Sequence, residues 1–475
     1  MKVLFAASEA VPFVKTGGLA DVIGTLPAAL KNLNIEPAII LPCYSDIPEA
    51  YKQEMELVGE FTVPLGWREQ PTLLYGIFNQ QVPCYFVQNE YYFDRPGIYG
   101  HEDEAERFAY FSRAVVETLP YLHTYPDIIH CHDWHTGLIP VYLEDLYRQG
   151  GANSSTASVF TIHNLNYQGI FPREVLEEVL GLGQEHFTMN GLEFHGQVNF
   201  LKGGIAYSDL VTTVSPTYAK EIQQSTFGEG LDGFLRQNQD KIYGVLNGID
   251  YQTYDPATDP HLNKNYDANS LNKKRENKKH LQERLGLPIS DKIPVIGVVS
   301  RLVAQKGMEL IARVIHDILA KEVQMAVLGS GESSYEHLFI HMEKKHPHKI
   351  KANIKYDEEL ARQIYAGADF LLIPSLFEPC GLNQMISLRY GTVPIVRETG
   401  GLKDTVEPYN EFTGEGNGFS FANYNAHDML HTLENALLFY YKKPRFNRLV
   451  RRGMKMDFSW SQSARKYKDL YSLIV

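Results

Sequence analysis

Short apolar runs alternate along the chain with segments in which apolar positions recur every three or four residues. In the first half the runs predict strands, and the periodic stretches between them, such as Leu19–Leu33 and Glu104–Leu119, predict amphipathic helices. The predicted strands are Val3–Ala7, Ala38–Leu41, Val82–Val87, Asp127–Cys131, Ser158–Ile162, Leu210–Val214 and Ile242–Val245. This alternation is typical of a parallel sheet with helices on both faces.

The same pattern begins again in the second half. The strands predicted there are Pro294–Val299, Val323–Leu328, Lys351–Lys355, Phe370–Ile373 and Val393–Val396. The chain is therefore expected to be α/β, with two doubly wound units in tandem and a binding cleft between them. The boundary falls between Asn247 and about Ser290, where the run Asn272–Lys279 is interpreted as a solvated helix face. We predict units over residues 1–247 and 248–457, and a helix over residues 458–475 that packs back on the first unit.

Composition narrows the classes of partner. The 475 residues exceed what one core usually supports, and 44% hydrophobic with 21% charged residues is typical of a globular protein. The formal net charge of −12 argues against nucleic acid or an anionic membrane as the main partner. A chain that begins with a strand, has no long apolar run and carries four scattered cysteines is expected to be cytoplasmic with reduced thiols.

The segment after the first strand, K-T-G-G-L at Lys15, suits a phosphate group. Two glycines allow the backbone to approach a ligand closely, and the helix that begins here offers unpaired N–H groups and the positive end of its dipole. Lys15 adds a full positive charge on a flexible side chain.

A second candidate phosphate site follows the first strand of the second half. Arg301 and Lys306 lie between that strand and the predicted helix Met308–Ala320, at the strand end where open α/β sheets bind ligands. The segment G-S-G-E at Gly329 ends the next strand, but the dinucleotide pattern G-x-G-x-x-G is incomplete there. We interpret it as a tight turn that lets the backbone approach a ligand, and a hydride-transfer enzyme is disfavoured.

Three further features each allow two interpretations. Glu378, just ahead of a helix start, suits either sugar hydroxyls or the helix dipole alone. His163 ends a strand and suits either a ligand contact or a structural role. The segment H-C-H-D-W-H at His130 looks like a metal cluster, but no distant pair of ligands completes it, so no metal is predicted.

In their order along the chain, these motifs resemble those of bacterial glycogen synthases and plant starch synthases. The resemblance covers almost the whole chain and includes K-T-G-G-L at Lys15, H-C-H-D-W-H at His130, T-I-H-N-L-N-Y-Q-G at Thr161, N-G-I-D at Asn247, S-R-L-V-A-Q-K-G at Ser300 and S-L-F-E-P-C-G-L-N-Q at Ser375. Each motif is weak or moderate alone, whereas the combination is highly specific.

The resemblance implies a GT-B fold, in which two Rossmann-like domains face a deep cleft. It also implies transfer of glucose from ADP-glucose to the non-reducing end of an α-1,4-glucan (glycogen, starch or malto-oligosaccharides), with retention at the anomeric carbon. No cofactor is implied, and the implied setting is a bacterial cytoplasm. The alternative is another retaining GT-B glucosyltransferase that uses UDP-glucose or a small acceptor; the oligomeric state stays open.

The resemblance also implies roles for individual residues. The implied catalytic residues are His163, Arg301, Lys306 and Glu378. The implied nucleotide-sugar contacts are Lys15, Gly17, Gly18, Asp21, Asn247, Gly329, Tyr356, Cys380, Gly381, Leu382 and Thr399. The implied acceptor contacts are Glu9, Asp21, His132 and Asp133. In this scheme Arg301 and Lys306 bind the diphosphate, and Tyr356 stacks on the nucleotide base.

One position departs from the wider GT-B pattern. Many retaining GT-B enzymes carry a second glutamate eight positions after Glu378, where this chain has Ile386. Glycogen and starch synthases also lack it, so the departure supports the narrower resemblance and removes one expected ribose contact. Two rivals share features of the chain: a glycan phosphorylase, which needs pyridoxal phosphate on a lysine, and a non-catalytic glycan-binding scaffold, which does not need cations at both sites.

Overall fold

The computed structural model describes residues 1–145 and 156–475, which form two compact units. Unit 1 comprises Met1–Asn247 and Trp460–Val475, and unit 2 comprises Gly248–Ser459. Unit 2 extends two residues beyond the predicted end at 457, because Ile249 N donates to Phe458 O over 2.8 Å and Ile249 forms a parallel bridge with Ser459. No helix in the two described ranges is long and apolar enough to span a membrane.

Unit 1 contains twelve strands among its described residues. They are β1 (Lys2–Ala6), β2 (Glu36–Pro42), β3 (Glu56–Leu65), β4 (Arg68–Ile77), β5 (Cys84–Gln88), β6 (Ile128–His132), β7 (Ala157–Ile162), β8 (Ile170–Phe171), β9 (Glu193–Phe194), β10 (Gln197–Asn199), β11 (Leu210–Thr213) and β12 (Ile242–Gly244). Nine of them form one sheet in the order β12-β11-β7-β6-β1-β2-β5-β4-β3, and β8, β10 and β9 form a small separate sheet. The large sheet is parallel except at β4 and β3, which pair antiparallel.

Nine α-helices lie in the described part of unit 1 before Asn247. They are α1 (Gly18–Lys31), α2 (Glu49–Lys52), α3 (Glu90–Phe93), α4 (Glu104–Glu117), α5 (Leu138–Leu143), α6 (Val175–Glu178), α7 (Phe200–Tyr207), α8 (Pro216–Glu221) and α9 (Asp232–Gln237). In α1 the buried residues include Leu19, Ile23, Leu26 and Leu30, whose spacing of three to four defines one face. That face packs against β2 and the helix Trp460–Tyr471, which positions the segment that precedes α1.

Unit 2 has a six-stranded parallel sheet. Its strands are β13 (Val295–Val299), β14 (Gln324–Leu328), β15 (Ile350–Asn353), β16 (Phe370–Ile373), β17 (Val393–Arg397) and β18 (Phe419–Phe421). They lie in the order β15-β14-β13-β16-β17-β18, which is the Rossmann order. The direction of winding therefore reverses between β13 and β16, and ligands bind open α/β sheets at such a switch point.

The helices of unit 2 are α10 (Leu271–Arg284), α11 (Met308–Ala320), α12 (Ser333–Lys345), α13 (Glu358–Gly367), α14 (Asn383–Arg389), α15 (Gly400–Thr405), α16 (Ala426–Tyr440) and α17 (Lys443–Lys455). The interpretation of α10 as a solvated basic face is wrong for Lys278, whose side chain is 5% exposed. Its ammonium donates to Asp369 Oδ2, Ile293 O and Tyr440 Oη at 2.7, 2.7 and 2.9 Å. These three buried acceptors stabilise a cation that the sequence alone assigns to solvent.

The last helix, α18 (Trp460–Tyr471), belongs to unit 1. Its buried residues include Trp460, Ala464, Tyr467 and Tyr471, which again follow a helical spacing. Tyr471 Oη lies 2.7 Å from Nδ1 of His130, at the centre of the large sheet. The chain therefore leaves unit 1 after β12 and returns to complete its core.

Candidate active site

The polar residues of interest in unit 1 follow three adjacent parallel strands. β1 pairs with β2 on one side and with β6 on the other, so the winding reverses between β1 and β6. Glu9 follows β1, Asp133 follows β6, and His163 follows β7, the next strand along the sheet. The carboxyl ends of parallel strands meet at one edge, which explains why these distant segments come together.

Glu9 organises the segment that precedes α1. It is 3% exposed, and its Oε2 accepts hydrogen bonds from Thr16 N, Thr16 Oγ1 and Gly17 N at 2.5, 2.9 and 3.3 Å. Lys15 Nζ donates to Asp21 Oδ1 over 2.8 Å near the surface. A Cβ added at Gly18 meets no atom within 4 Å, so the space beside this residue is open. An anion at this helix start would meet Lys15 and the open side of Gly18 rather than the N–H groups that Glu9 occupies.

His132 and His163 form a neutral pair. His132 Nδ1 lies 2.9 Å from His163 Nε2, so one ring donates a hydrogen bond to the other. Burial lowers the pKa of His163 to about 3 and lowers the pKa of His132 well below its usual range, with the neighbouring histidines adding to the second shift. Neither ring is charged at neutral pH, and both can bond hydroxyl groups.

Asp133 fixes the position of His163. Its Oδ1 accepts a hydrogen bond from His163 N over 2.8 Å. Burial raises the pKa of Asp133 to about 7, the N–H groups of His163 and Asn164 oppose that shift, and the charge of Glu9 adds to it. A carboxyl group with this pKa can exchange a proton near neutral pH.

Buried polar atoms of unit 1 without a hydrogen-bond partner in the described part of the chain include Nε2 of His132 and Oδ1 of Asn247, in residues that are 0% and 7% exposed. Both atoms can therefore form a hydrogen bond with a further group. His130 differs, since its two ring nitrogens contact Tyr471 Oη at 2.7 Å and Thr161 Oγ1 at 2.6 Å. Its role is structural.

A histidine and two carboxylates also lie together elsewhere in unit 1. Single ligand atoms of Asp145, Glu185 and His186 lie within 4.8 Å of one another. The two ring nitrogens of His186 contact Tyr207 Oη at 2.9 Å and Asp145 Oδ1 at 3.2 Å. Ordinary hydrogen bonding accounts for this cluster. Its three residues form no motif in the sequence, so it could not be predicted.

In unit 2, Lys306 and Glu378 are in direct contact. Lys306 Nζ lies 2.8 and 2.6 Å from the two carboxylate oxygens of Glu378, and Ser375 Oγ donates to Glu378 Oε2 over 2.9 Å. The lysine and glutamate side chains are 19% and 11% exposed. Lys306 follows β13 and Glu378 follows β16, so the pair lies at the switch point of this sheet.

Gly307 makes this contact possible. Its φ is +73°, a left-handed conformation that favours glycine, and a Cβ there would lie 2.0 Å from Pro374 O. The turn between β13 and α11 therefore presses directly against the end of β16. Arg301 is not part of the pair: it is exposed, and its Nη2 lies 3.4 Å from Gln305 Oε1.

The segment after Glu378 is braced from two sides. Gln384 Nε2 donates to the carbonyls of Cys380 and Gly381 at 3.1 and 2.8 Å. Gly400 and Gly401, at the start of α15, leave no room for side chains, since a Cβ would lie 2.0 Å from Glu378 O and 1.9 Å from Cys380 O respectively. These roles of Gln384 and Ser375 were not predicted, although both residues lie inside the motif that begins at Ser375.

The remaining predicted residues of unit 2 occupy varied positions. Gly329 has a φ of +152°, and a Cβ there would lie 1.8 Å from Ser300 O, so its close backbone approach is to this chain's own loop. Tyr356 is 81% exposed, and its hydroxyl donates to Glu358 Oε2 over 3.2 Å. Leu382 immediately precedes α14, and the buried Thr399 immediately precedes α15. Ile386 is 3% exposed in α14, where an apolar residue suits the core.

Two parallel α/β units, each with polar residues at a switch point and the second in Rossmann order, define the GT-B class of glycosyltransferases. The sucrose-phosphate synthase of Thermosynechococcus elongatus has this fold, with a TM-score of 0.63 at 16% identity over 100% of this chain and 98% of that one.

Comparison of sequences narrows the class to a family. Residues 2–237 match the family described as starch synthase catalytic domain, and residues 281–449 match glycosyl transferases group 1. A glycogen synthase of Desulforamulus reducens is 54% identical over 100% of this chain and 99% of its own length. The catalytic domain of starch synthase IV from Arabidopsis thaliana, bound to ADP and acarbose, is 36% identical with a TM-score of 0.90, covering 100% of this chain and 99% of that one. The chain belongs to the glycogen and starch synthase family, which confirms the resemblance and the fold expected from the sequence.

Proposed function

We propose that this protein transfers glucose from ADP-glucose to the non-reducing end of an α-1,4-glucan, with retention at the anomeric carbon. The observation that carries the proposal is the Lys306–Glu378 pair at the switch point of unit 2, in a chain that matches glycogen synthases over its full length. The Arabidopsis relative binds ADP, which favours ADP-glucose as the donor. The proposal includes a bacterial cytoplasmic setting.

The chemical problem is to break the bond between glucose and the diphosphate. Negative charge builds on the leaving diphosphate while the sugar becomes electron-deficient, so fixed cations stabilise the transition state more than the ground state. In this proposal Lys306 and Arg301 bind the diphosphate. Lys306 has three N–H donors, so it can keep Glu378 and still reach a phosphate oxygen.

Glu378 has two roles in the proposal. Its carboxylate fixes the ammonium of Lys306, so the cation needs little reorganisation when charge develops nearby. Together with the backbone of Cys380, Gly381 and Leu382, it binds hydroxyl groups of the transferred glucose. Gly329 follows β14 and Thr399 follows β17, the strands on either side of β13 and β16, and both residues are assigned to the phosphates. Tyr356 is assigned to stacking on the base.

Unit 1 supplies the sugar and acceptor contacts. His163 bonds the transferred glucose, and the unpartnered atoms of His132 and Asn247 accept or donate to further hydroxyls. Lys15, with the backbone at Gly17 and Gly18, approaches the donor, and Asp21, Glu9 and Asp133 face the sugar or the acceptor. A neutral histidine pair suits this role because sugar hydroxyls carry no charge to be matched.

The test offers ADP-glucose and UDP-glucose separately, with glycogen or maltoheptaose, in the presence of EDTA. We expect nucleotide release together with stepwise growth of the glucan, faster from ADP-glucose. Faster turnover of UDP-glucose would overturn the donor assignment. Nucleotide release without glucan growth, or no release from either donor, would overturn the polymerase assignment.

A further inference from the structure

A pocket of about 430 Å³ lies at the amino edge of the sheet in unit 2. Asp291 and Lys292 precede β13, and Gly367 and Asp369 precede β16. One side of α10 and the junction of α16 with α17 form the other walls. The loops that carry Lys306 and Glu378 leave the opposite edge, and strands of four to five residues separate the two edges by about 15 Å. The pocket is therefore distinct from the candidate active site.

Positive charge dominates the lining. The titratable cations are Lys274, Arg275, Lys278, Lys292 and Lys443, and the carboxylates are Asp291 and Asp369. Five basic residues against two carboxylates line this cavity, although Lys274, whose pKa burial lowers to about 7, is only partly charged at neutral pH. This excess of basic residues is unusual in a chain whose net charge is −12.

Two of the basic side chains, Lys278 and Lys274, form hydrogen bonds inside the fold. Lys278 donates to Asp369 Oδ2 over 2.7 Å, and Lys274 donates to Ala366 O and Thr392 Oγ1 at 2.7 and 2.9 Å. Arg275, Lys292 and Lys443 form no ion pair with the residues that the structure describes.

The pKa of Lys443 responds both to burial and to the neighbouring charges. Its Nζ lies 3.0 Å from the centroid of the Tyr440 ring. The pKa of Lys443 is lowered to about 8, mainly by burial; Lys278 and Arg275 contribute to the decrease, and Asp369 and Asp291 oppose it. Burial also lowers the pKa of Lys274 to about 7. An anion in the pocket would relieve this repulsion.

We propose that this pocket binds a small phosphate-bearing anion. A phosphate group carries up to two negative charges near neutral pH and matches both the planar fork of Arg275 and the ammonium groups of Lys292 and Lys443. The volume is within the range of small-molecule sites, and Tyr440 and Tyr441 provide apolar area for an organic part. Inorganic pyrophosphate and a phosphate monoester share this chemistry and are distinguished by experiment.

The first test is protection of Lys443 from acylation. The full-length protein is treated at pH 8 with an amine-acylating reagent, with or without pyrophosphate or glycerol 3-phosphate, at an ionic strength held constant with sodium chloride. Peptide mass spectrometry gives the rate at each lysine. We expect at least a fivefold slower rate at Lys443 with one of the anions, and no change at Lys279, an exposed residue of α10 outside the pocket. A rate at Lys443 that neither anion lowers, compared with the rate in sodium chloride alone, would overturn the proposal.

The second test separates this pocket from the active site. Titration calorimetry with pyrophosphate uses a background with Arg301→Ala, Lys306→Ala and Lys15→Ala, which removes the three cations that the proposed function assigns to the donor. We expect Arg275→Gln to weaken binding at least tenfold and Lys279→Gln, which removes the same charge from the same helix, to leave it unchanged. Undiminished binding after Arg275→Gln would contradict the assignment whatever the donor specificity proves to be.

Discussion

Lys306 and Glu378 are 72 positions apart in the sequence, yet the ammonium of one contacts both oxygens of the other. The sequence identified each residue from its place after a strand, but assigned them to different parts of the substrate. Their contact adds a physical link, because a carboxylate at this distance both fixes the cation and offsets the cost of its partial burial. Loss of either partner should therefore affect the other.

Lys306→Ala should lower kcat by ~10²-fold or more, since one preorganised donor at the leaving group is worth about 3 kcal/mol. Lys351→Ala is the matched control: its side chain is also 19% exposed and also contacts a glutamate, Glu343, at 3.3 Å. Initial rates of ADP release with ADP-glucose and glycogen give the comparison. Near-normal turnover of Lys306→Ala would remove this residue from the proposed mechanism.

His163 should make the protein sensitive to acid. Its pKa falls from its ordinary value of 6.5 to about 3 on folding, so below pH 6.5 the unfolded chain binds a proton that the folded chain does not. Stability is therefore lost progressively as the pH falls from 6.5 towards 3. With His163→Asn, the loss of unfolding free energy between pH 6.5 and pH 5 should be smaller by about 1.5 kcal/mol.

Urea unfolding followed by circular dichroism at the two pH values measures this difference. His195→Asn is the control, because His195 is exposed and its φ of +51° suits asparagine. The same pH dependence in His163→Asn and in the parent protein would show that His163 is not buried in its neutral form.

At the scale of elements, the parallel strands other than β18 could be predicted, whereas β18 and the β3–β4 hairpin could not. β6 and β7 are buried along their whole length and read as continuous apolar or β-branched runs. β3 contains the apolar residues Leu57, Val58, Phe61, Val63 and Leu65, but only Val63 and Leu65 are buried, and the antiparallel pairing with β4 stabilises the strand. The roles of Gln384 and Ser375 could not be predicted either, because they depend on tertiary contacts that spacing along the chain does not encode.

The turn between β13 and α11 gives a prediction at this scale. Gly307→Ala combines two penalties: a left-handed φ of +73° and a Cβ placed 2.0 Å from Pro374 O. Gly286→Ala is matched in conformation, with a φ of +63°, but its Cβ meets no atom within 4 Å. We expect Gly286→Ala to cost about 1 kcal/mol of unfolding free energy from conformation alone, and Gly307→Ala to cost more.

Gly307→Ala should also lower kcat by more than ~10-fold, because movement of the turn displaces Lys306 from the position that Glu378 fixes. Gly286→Ala should leave kcat unchanged, since it lies after α10 and outside the site. Denaturant unfolding and steady-state rates measure the two effects. Equal stability and equal kcat in the two variants would show that the contact with Pro374 does not position Lys306.

At the scale of the whole molecule, unit 1 is built from two separate stretches of the chain and unit 2 from one. Unit 1 is built from residues before Asn247 and completed by α18, which begins more than two hundred residues later in the sequence. A helix over residues 458–475 was predicted from the sequence, and the structure has α18 there with a buried apolar face. The specific contacts could not be predicted, because His130 appeared in the sequence only as one residue of a histidine-rich segment. In the structure it joins α18 to the central strands.

Tyr471→Phe tests that connection with a change of one oxygen atom. It removes the hydroxyl that contacts His130 Nδ1 and leaves this nitrogen buried without a partner, which should cost about 1–3 kcal/mol of unfolding free energy. Tyr243→Phe is the control: Tyr243 is exposed, and its hydroxyl contacts Asp240 O at 3.3 Å, so its loss should cost less than about 0.5 kcal/mol.

Urea midpoints of the full-length proteins provide the measurement. A loss confined to Tyr471→Phe would mean that the hydrogen bond to His130 stabilises the packing of α18 on the sheet. Equal midpoints in the two variants would instead mean that apolar packing alone binds α18 to the sheet.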